Sequence, residues 1–294
     1  MKVLVIGATG MIGRPAVRKL LADGHDVTGL ARNDERAAAV ATQGITPVVA
    51  DLFDADSLAG ALVGQEAVIN LATRIPTPGK AALGMGWAET IKIRTVGSTA
   101  LVDAALNSGD VRIIVQEGVS FYYADGGEAE ITEESPVDVP ENLRSAVIAH
   151  ENVARFAGDG RVGIGLRIAG LVGDDPMTRF LRKGARFGIP VTFGDAAGWT
   201  VAVHPSDAAT GAVAALAAPT GEYNVGARPL RKRELGAVLA GEHKPHTIPP
   251  GMLRFMGPAA ALGRSQRVLS TKLTEATGWQ PALPSPSAEW FSER

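Results

Sequence analysis

Short apolar runs alternate with longer amphipathic stretches through the first half of the chain. Strands are predicted at Val3–Ile6, Asp26–Ala31, Thr46–Val49, Ala67–Leu71 and Val111–Gln116. Between them, apolar residues recur at three- and four-residue spacing in Ile12–Ala22, Asp34–Thr42, Asp56–Leu62 and Trp87–Asn107, the pattern of helices with one buried face. A further helix pattern, Ser145–Ala157, leads into a sixth strand at Val162–Ile168. Strands that are apolar throughout, instead of at alternate positions, are buried on both faces. They imply a parallel sheet covered by helices on each side and joined by right-handed crossovers.

Beyond residue 170 the alternation becomes irregular. Gly173–Pro190 reads as loop plus helix, Pro205–Ala217 as a helix of small residues, Tyr223–Val225 as a short strand and Arg231–Ala240 as another helix, before a tail rich in Pro and Trp. The expected organisation is an α/β domain over 1–170 and a smaller lobe over 171–294, with strand and helices interleaved so that the lobe does not fold alone. It should cover the carboxyl edge of the sheet, where open α/β sheets bind ligands.

Composition narrows the chemistry. Lys+Arg 29 against Asp+Glu 31 gives no field that would recruit nucleic acid or an anionic membrane. The absence of cysteine removes disulfides, thiolate metal sites and a cysteine nucleophile together. His243 and His246 have a ligand-like spacing, but they sit in a Pro-rich stretch without carboxylates, so no metal is expected. The N-terminal run is short and leads into glycines, unlike a signal peptide. No apolar run approaches the ~20 residues needed to span a bilayer. The simplest location is the cytoplasm, and the expected partner is a small molecule.

The informative motif is Gly7-Ala8-Thr9-Gly10-Met11-Ile12-Gly13, placed between the first strand and the first helix. Gly7 permits a sharp turn, Gly10 lets backbone approach a diphosphate, and Gly13 allows close helix–strand packing. Thr9, Met11 and Ile12 complete the turn, whose free N–H groups would receive the pyrophosphate of a dinucleotide. The fold class is therefore α/β, a Rossmann-like doubly wound parallel sheet with a smaller C-terminal lobe. At the end of the second strand an NAD site usually carries Asp or Glu for the ribose 2′-hydroxyl. Here Arg32 stands there, and a guanidinium suits a 2′-phosphate, so NADP(H) is favoured over NAD(H). Arg14 and Arg36 are candidates to add charge.

These residues resemble the extended and atypical short-chain dehydrogenase/reductase family, also called NAD-dependent epimerase/dehydratase. The resemblance runs nearly end to end. Asp51-Leu52 is similar to the family's acidic–apolar pair beside the adenine. Asn70-Leu71-Ala72 matches the strand end lining the cofactor, and Val96–Ala105 matches a helix flanking the sheet. Leu166-Arg167-Ile168, His204-Pro205-Ser206-Asp207 and Glu222–Gly226 follow in the family's order. The resemblance implies a catalytic Ser/Thr and a Tyr-x-x-x-Lys pair, in which lysine lowers the tyrosine pKa and holds the nicotinamide ribose. Here Ala146 and His150 occupy the places of that pair, and Gly118 or Val119 stands where the hydroxyl is expected.

Replacements for the missing acid are sought nearby. Tyr122 and Tyr123 follow the fifth strand, Ser120 is placed to steady a substrate oxygen, and His150 is a candidate acid, base or ribose contact. Glu117 is a candidate base if desolvated. Lys92 and Arg94 read as a solvated helix face. His204 and Asp207 read as caps of the helix beginning at Pro205. Arg179, Arg182, Lys183 and Arg186 read as a solvated basic face that borders the substrate mouth.

Three functions fit. The first is an NADP(H)-dependent oxidoreductase acting on a small molecule without the usual pair. The second is a non-redox isomerase, cyclase or lyase on the same scaffold, and the third a non-catalytic NADP-sensing protein. Two long helices, Trp87–Asn107 and Ser145–Ala157, carry Ala104, Ala105, Ala146 and Ala149, which would let a homodimer approach closely but suit packing on the sheet equally.

Overall fold

The computed structural model describes residues 1–82, 85–253 and 257–291. Its N-terminal part alternates strand and helix: β1 (Lys2–Ile6), α1 (Gly13–Ala22), β2 (Asp26–Ala31), α2 (Asp34–Ala41), β3 (Thr46–Val49), α3 (Ala55–Leu62) and β4 (Ala67–Asn70). Two short helices follow, α4 (Pro78–Ala82) and α5 (Ala88–Lys92), then α6 (Ser98–Ser108), β5 (Ile113–Gln116), α7 (Arg144–Phe156) and the sixth strand, Val162–Ile168. A seventh strand, Gly221–Val225, returns from the C-terminal part to pair with the sixth. The sheet runs seventh, sixth, β5, β4, β1, β2, β3, all parallel.

Why the strands are apolar throughout is visible in β1. Val3 and Val5 belong to one buried cluster, with Ala16, Val17 and Leu20 of α1. Leu4 and Ile6 belong to the other, with Leu58 of α3 and Leu101 and Val102 of α6. Each face has its own helical layer, so no position in the strand is free to be polar. Helix starts follow local chemistry. Asn33 accepts from the Arg36 N–H at the head of α2, and Asp54 accepts from Asp56 and Ser57 at the head of α3.

The helix expected over Trp87–Asn107 is interrupted. Residues Ile93–Gly97 form a π-helical turn between α5 and α6. Three hydroxyls bond back onto carbonyls here, Thr95 Oγ1 to Ile91, Ser98 Oγ to Arg94 and Thr99 Oγ1 to Thr95. Such back-bonding loosens the regular ladder. Leu52 packs onto Gly97, where a Cβ would lie 3.1 Å from the leucine Cγ. The turn rolls Arg94 inward, so the reading of Arg94 as a solvated face is wrong: it is buried.

The C-terminal lobe contains α8 (Pro176–Ala185), α9 (Pro205–Ala214) and α10 (Lys232–Ala240). It is stitched by two-residue strand pairs that carry too little periodicity to be predicted. Gly170–Leu171 pairs with Ala202–Val203, and Glu130–Ile131, in the long connection after β5, pairs with Arg267–Val268. His204 caps α9, accepting from the Ser206 N–H. Asp207 does not cap it. From the first turn its carboxylate reaches outward and accepts the N–H groups of Ala282 and Leu283, pinning the tail. Ala104, Ala105, Ala146 and Ala149 are all buried within the chain, so none of them forms an outer surface. Among the described residues no helix is long and apolar enough to cross a membrane, and no group of three or more metal-ligating side chains converges.

Candidate active site

Gly7 leaves β1 at φ +85°, and a Cβ there would lie 2.8 Å from the Ala72 nitrogen. The turn is thus pressed against the chain leaving β4. That chain is itself fixed: the Ala72 N–H donates to Asn70 Oδ1 (3.2 Å), while Asn70 Nδ2 donates to Gln116 Oε1 (2.9 Å). A buried pair of amides therefore sets the height of Leu71 and Ala72 against the glycine turn. A Cβ on Gly13 would fall 2.0 Å from the Gly7 carbonyl oxygen, so the helix can start this close to the strand only with glycine. Gly10 is exposed and meets only that same carbonyl, at 3.1 Å, leaving its outer side bare. No side chain caps α1 at Ile12. The N–H groups of Met11, Ile12 and Gly13, which make no backbone hydrogen bond among the described residues, and the stripped glycine surface form a cradle that fits a diphosphate.

Around that cradle, Arg14 Nε donates to the Thr9 carbonyl (3.1 Å) and braces the turn. Met11 is exposed and Thr9 and Ile12 half-buried. Arg32 is exposed at the end of β2, immediately before the Asn33 cap of α2. Asp51 is exposed beyond β3, its carboxylate accepting the Phe53 N–H (2.9 Å) and its own N–H donating to Ser57 Oγ (3.0 Å). The cofactor residues read from the sequence thus stand on the carboxyl edge of four neighbouring strands.

The other end of the cleft is built differently. Ala146 and His150 both lie on the buried side of α7. The imidazole occupies space vacated by two glycines: a Cβ at Gly118 would lie 2.3 Å from His150 Nε2, and one at Gly165 would lie 2.8 Å from its Cγ. His150 Nδ1 is 2.9 Å from Glu222 Oε1 on the seventh strand, and Arg167 ion-pairs with the other oxygen of that carboxylate. Nε2 is buried without a hydrogen-bond partner among the described residues. A ring held in this way packs against the sheet at Gly118 and Gly165. Burial by itself raises the Glu222 pKa, but the His150 and Arg167 contacts outweigh it and hold the carboxyl below its ordinary value.

Tyr122 and Tyr123 are fully buried. Tyr123 OH donates to Asn224 Oδ1 (2.8 Å) and accepts from Arg167 Nη1 (2.6 Å). Burial pushes this phenol up to about 12, against the Arg167 charge. Tyr122 OH stands 3.5 Å from His150 Nδ1, longer than an ordinary hydrogen bond. Burial, reinforced by the Glu222 charge, drives its pKa up further. Neither phenol is tuned towards neutrality, as a proton-exchanging tyrosine would be. Ser120 is buried with its hydroxyl unpartnered among the described residues. Glu117 is bound on both oxygens by Arg94, Nε to Oε1 at 2.8 Å and Nη2 to Oε2 at 2.7 Å. The pair is buried and fork-on-fork, so the Glu117 carboxylate is committed to Arg94.

Sequence reasoning found the glycine turn and singled out His150. It missed Arg167 and Glu222 as a polar unit and misread Arg94. The available signal was spatial pairing between distant elements, which residue spacing does not carry. The basic stripe is also partly spoken for. Arg179 ion-pairs with Asp174, and Arg182 lies over the Phe291 ring and donates to the Val238 carbonyl.

A parallel sheet with a stripped glycine turn and an uncapped helix defines a dinucleotide-binding protein of the short-chain dehydrogenase/reductase type. The family model described as NAD(P)H-binding matches residues 7–157, and the chain belongs to that family, with an epimerase-like fold. A 3-diazoavenalumate denitrifying reductase from a Streptomyces species is 31% identical over 97% of this chain and 97% of its own length. Human epimerase family protein SDR39U1, solved with NADPH, superposes with a TM-score of 0.75 at 23% identity, over 97% of this chain and 96% of that one. The UDP-glucose 4-epimerase of Thermotoga maritima, solved with UDP-glucose, gives 0.75 at 20% identity, over 96% and 94%. At those identities the two structures establish the fold alone.

Proposed function

We propose that this protein is an NADP(H)-dependent reductase that directs hydride to a small electrophile requiring no strong acid from the protein. The observation that carries the reading is the state of the Tyr-x-x-x-Lys positions: Ala146 has no proton to give, and His150 is packed between Gly118 and Gly165 with Glu222 as its partner. The nearest phenols are pushed up, not down. Carbonyl reduction needs a proton on the nascent alkoxide, and such a site supplies it poorly. Bound NADPH supplies the hydride. An aromatic diazonium carbon that gains hydride and releases N2 balances without any proton, and an activated C=C or C=N bond needs only a weak donor. The diazo group in the name of the full-length relative supports the first of these acceptors.

The chain's own contribution is then binding, orientation and exclusion of water. Ser120, with its unpartnered hydroxyl, is the residue we assign to steadying the substrate. Tyr122 and Tyr123 wall that side of the cleft and serve as donors only to a strongly basic intermediate. The preference for the 2′-phosphate rests on Arg32, exposed and with no partner among the described residues. A non-redox reaction through His150 or Glu117 has less support, because both are committed to internal partners.

The test is direct. Purified protein is mixed with NADPH and a panel of aryl diazonium salts, enones, imines and ketones, and the reduced nicotinamide absorbance is followed. Oxidation with diazonium or conjugated acceptors at rates well above those with ketones is expected. Ketones as the better acceptors, or no oxidation with any of the panel, would overturn the reading.

A further inference from the structure

The chain leaving β4 is held more firmly than its loop character suggests. Thr90, buried on α5, clamps the backbone of Arg74 from both sides. The Arg74 N–H donates to Thr90 Oγ1 at 3.0 Å, and Thr90 Oγ1 donates back to the Arg74 carbonyl at 2.7 Å. The side chain stands apart from this. Arg74 is exposed, and its guanidinium has no partner among the described residues. On an anchored backbone only the side chain remains to be ordered when the cation binds an anion.

Its placement gives the cation a purpose. Asn70 and Gln116 are register partners on β4 and β5, so residues 74 and 120 each stand four positions beyond a paired residue on neighbouring strands. Ser120, at the second of these, is the buried hydroxyl without a partner. Residues 71 and 72 touch the glycine turn, and α4 further along touches α8 of the C-terminal lobe. Arg74 therefore lies on a stretch running from the glycine turn to α8 of the C-terminal lobe. Its chain neighbour Ile75 is an exposed apolar residue (51%), and α8, the helix that α4 touches, exposes Phe180 (39%).

We infer that Arg74 is the anion-binding residue of the substrate cleft, taking the carboxylate of a small substrate with an apolar body. The inference rests on the reductase reading for the cleft's purpose, but its test does not depend on turnover. Guanidinium binds carboxylate through two parallel hydrogen bonds, which an uncharged ester cannot reproduce. Diphosphate is the competing anion, either in the cofactor or in a nucleotide sugar.

The experiment uses the full chain saturated with NADP+ and calorimetric titration with cinnamate, methyl cinnamate and UDP-glucose. Cinnamate should bind about tenfold more tightly than its ester, a difference of roughly 1.4 kcal/mol. Arg74→Ala should erase that preference and Arg74→Lys retain part of it, with the NADP+ dissociation constant unchanged within about twofold. Equal binding of acid and ester, or no binding of either, overturns the inference. So does an Arg74→Ala variant that weakens NADP+ as much as cinnamate, or an Arg74 dependence carried by UDP-glucose in place of cinnamate. Carboxylate-selective binding without NADPH oxidation by any acceptor would keep the anion site and remove the reductase reading instead.

Discussion

Gly13 and Gly165 both sit where a Cβ would collide, yet they answer to different neighbours. At Gly13 the obstacle is the backbone carbonyl of Gly7, 2.0 Å away. At Gly165 it is the imidazole of His150, nearest at 2.8 Å. The glycine-turn end of the cleft is thus made of main chain, and the His150 end of interchangeable side chains. A backbone cradle has one solution and persists wherever the cofactor is kept. A side-chain site can exchange a phenol and an ammonium for an alanine and an imidazole, provided the neighbours shrink to match. That difference accounts for a chain that keeps the family's cofactor turn while replacing its acid.

The largest effect should come from forcing a methyl into the rigid end. Gly13→Ala must push α1 away from the Gly7 carbonyl, at about 3 kcal/mol for an overpacked contact that cannot relax. NADPH affinity, measured by fluorescence quenching, should fall roughly a hundredfold. Near-normal binding would mean that the cradle is more compliant than its geometry indicates. Gly165→Ala meets only a side chain, and chemical denaturation should show a loss of about 2 kcal/mol. Here the neighbour can be removed. The double variant Gly165→Ala/His150→Ala should recover about 1 kcal/mol relative to the sum of the single losses. Strict additivity would show that the glycine does not exist to house the ring.

On the other side of the glycine turn, at the end of β2, stands a charge that does not shape the turn. Arg32 is exposed and makes no internal bond on which the fold depends. Arg32→Ala should leave the midpoint of thermal unfolding unchanged and weaken NADPH about tenfold, the worth of one charge-assisted contact of about 1.5 kcal/mol. NADH binding should stay the same. Equal losses for both cofactors would place Arg32 on the pyrophosphate and not on the 2′-phosphate.

How far the sequence could be read follows the same division. The six strands and the glycine turn announced themselves because both depend on local pattern: continuous apolar runs, and glycines at spacings a diphosphate requires. Strands Asp26–Ala31, Thr46–Val49 and Val162–Ile168 fall at their predicted limits. The helix over 87–107 was readable but its π turn was not, because Thr95, Ser98 and Thr99 are unremarkable until their hydroxyls are seen bonding backwards. The His150 end was legible only as an absence, alanine and histidine where the family has tyrosine and lysine. What replaced the pair is a contact between residues 150, 167 and 222, brought together by the seventh strand returning from the C-terminal part. No spacing rule connects a helix to an edge strand more than seventy residues away (|i−j| of 72 for His150 and Glu222).

Glu222 offers the finest probe of that contact. Its pKa is held below the ordinary carboxylate value: burial works against ionisation, but the His150 and Arg167 contacts prevail. A carboxyl depressed in the folded state binds a proton less readily there than in the unfolded chain. Its stabilisation is therefore complete above the unfolded pKa, near 4.5, and is lost as pH falls through the folded value. Glu222→Gln keeps the shape and removes the charge. At pH 7 it should cost about 1 kcal/mol, a modest figure because the carboxylate is 35% exposed and partly screened by water. The gap between wild type and Glu222→Gln should close as unfolding is measured at successively lower pH below 4.5. A gap that stayed constant with pH would mean that the carboxylate contributes packing only. The imidazole would then be held by the two glycines and their neighbours, without help from charge.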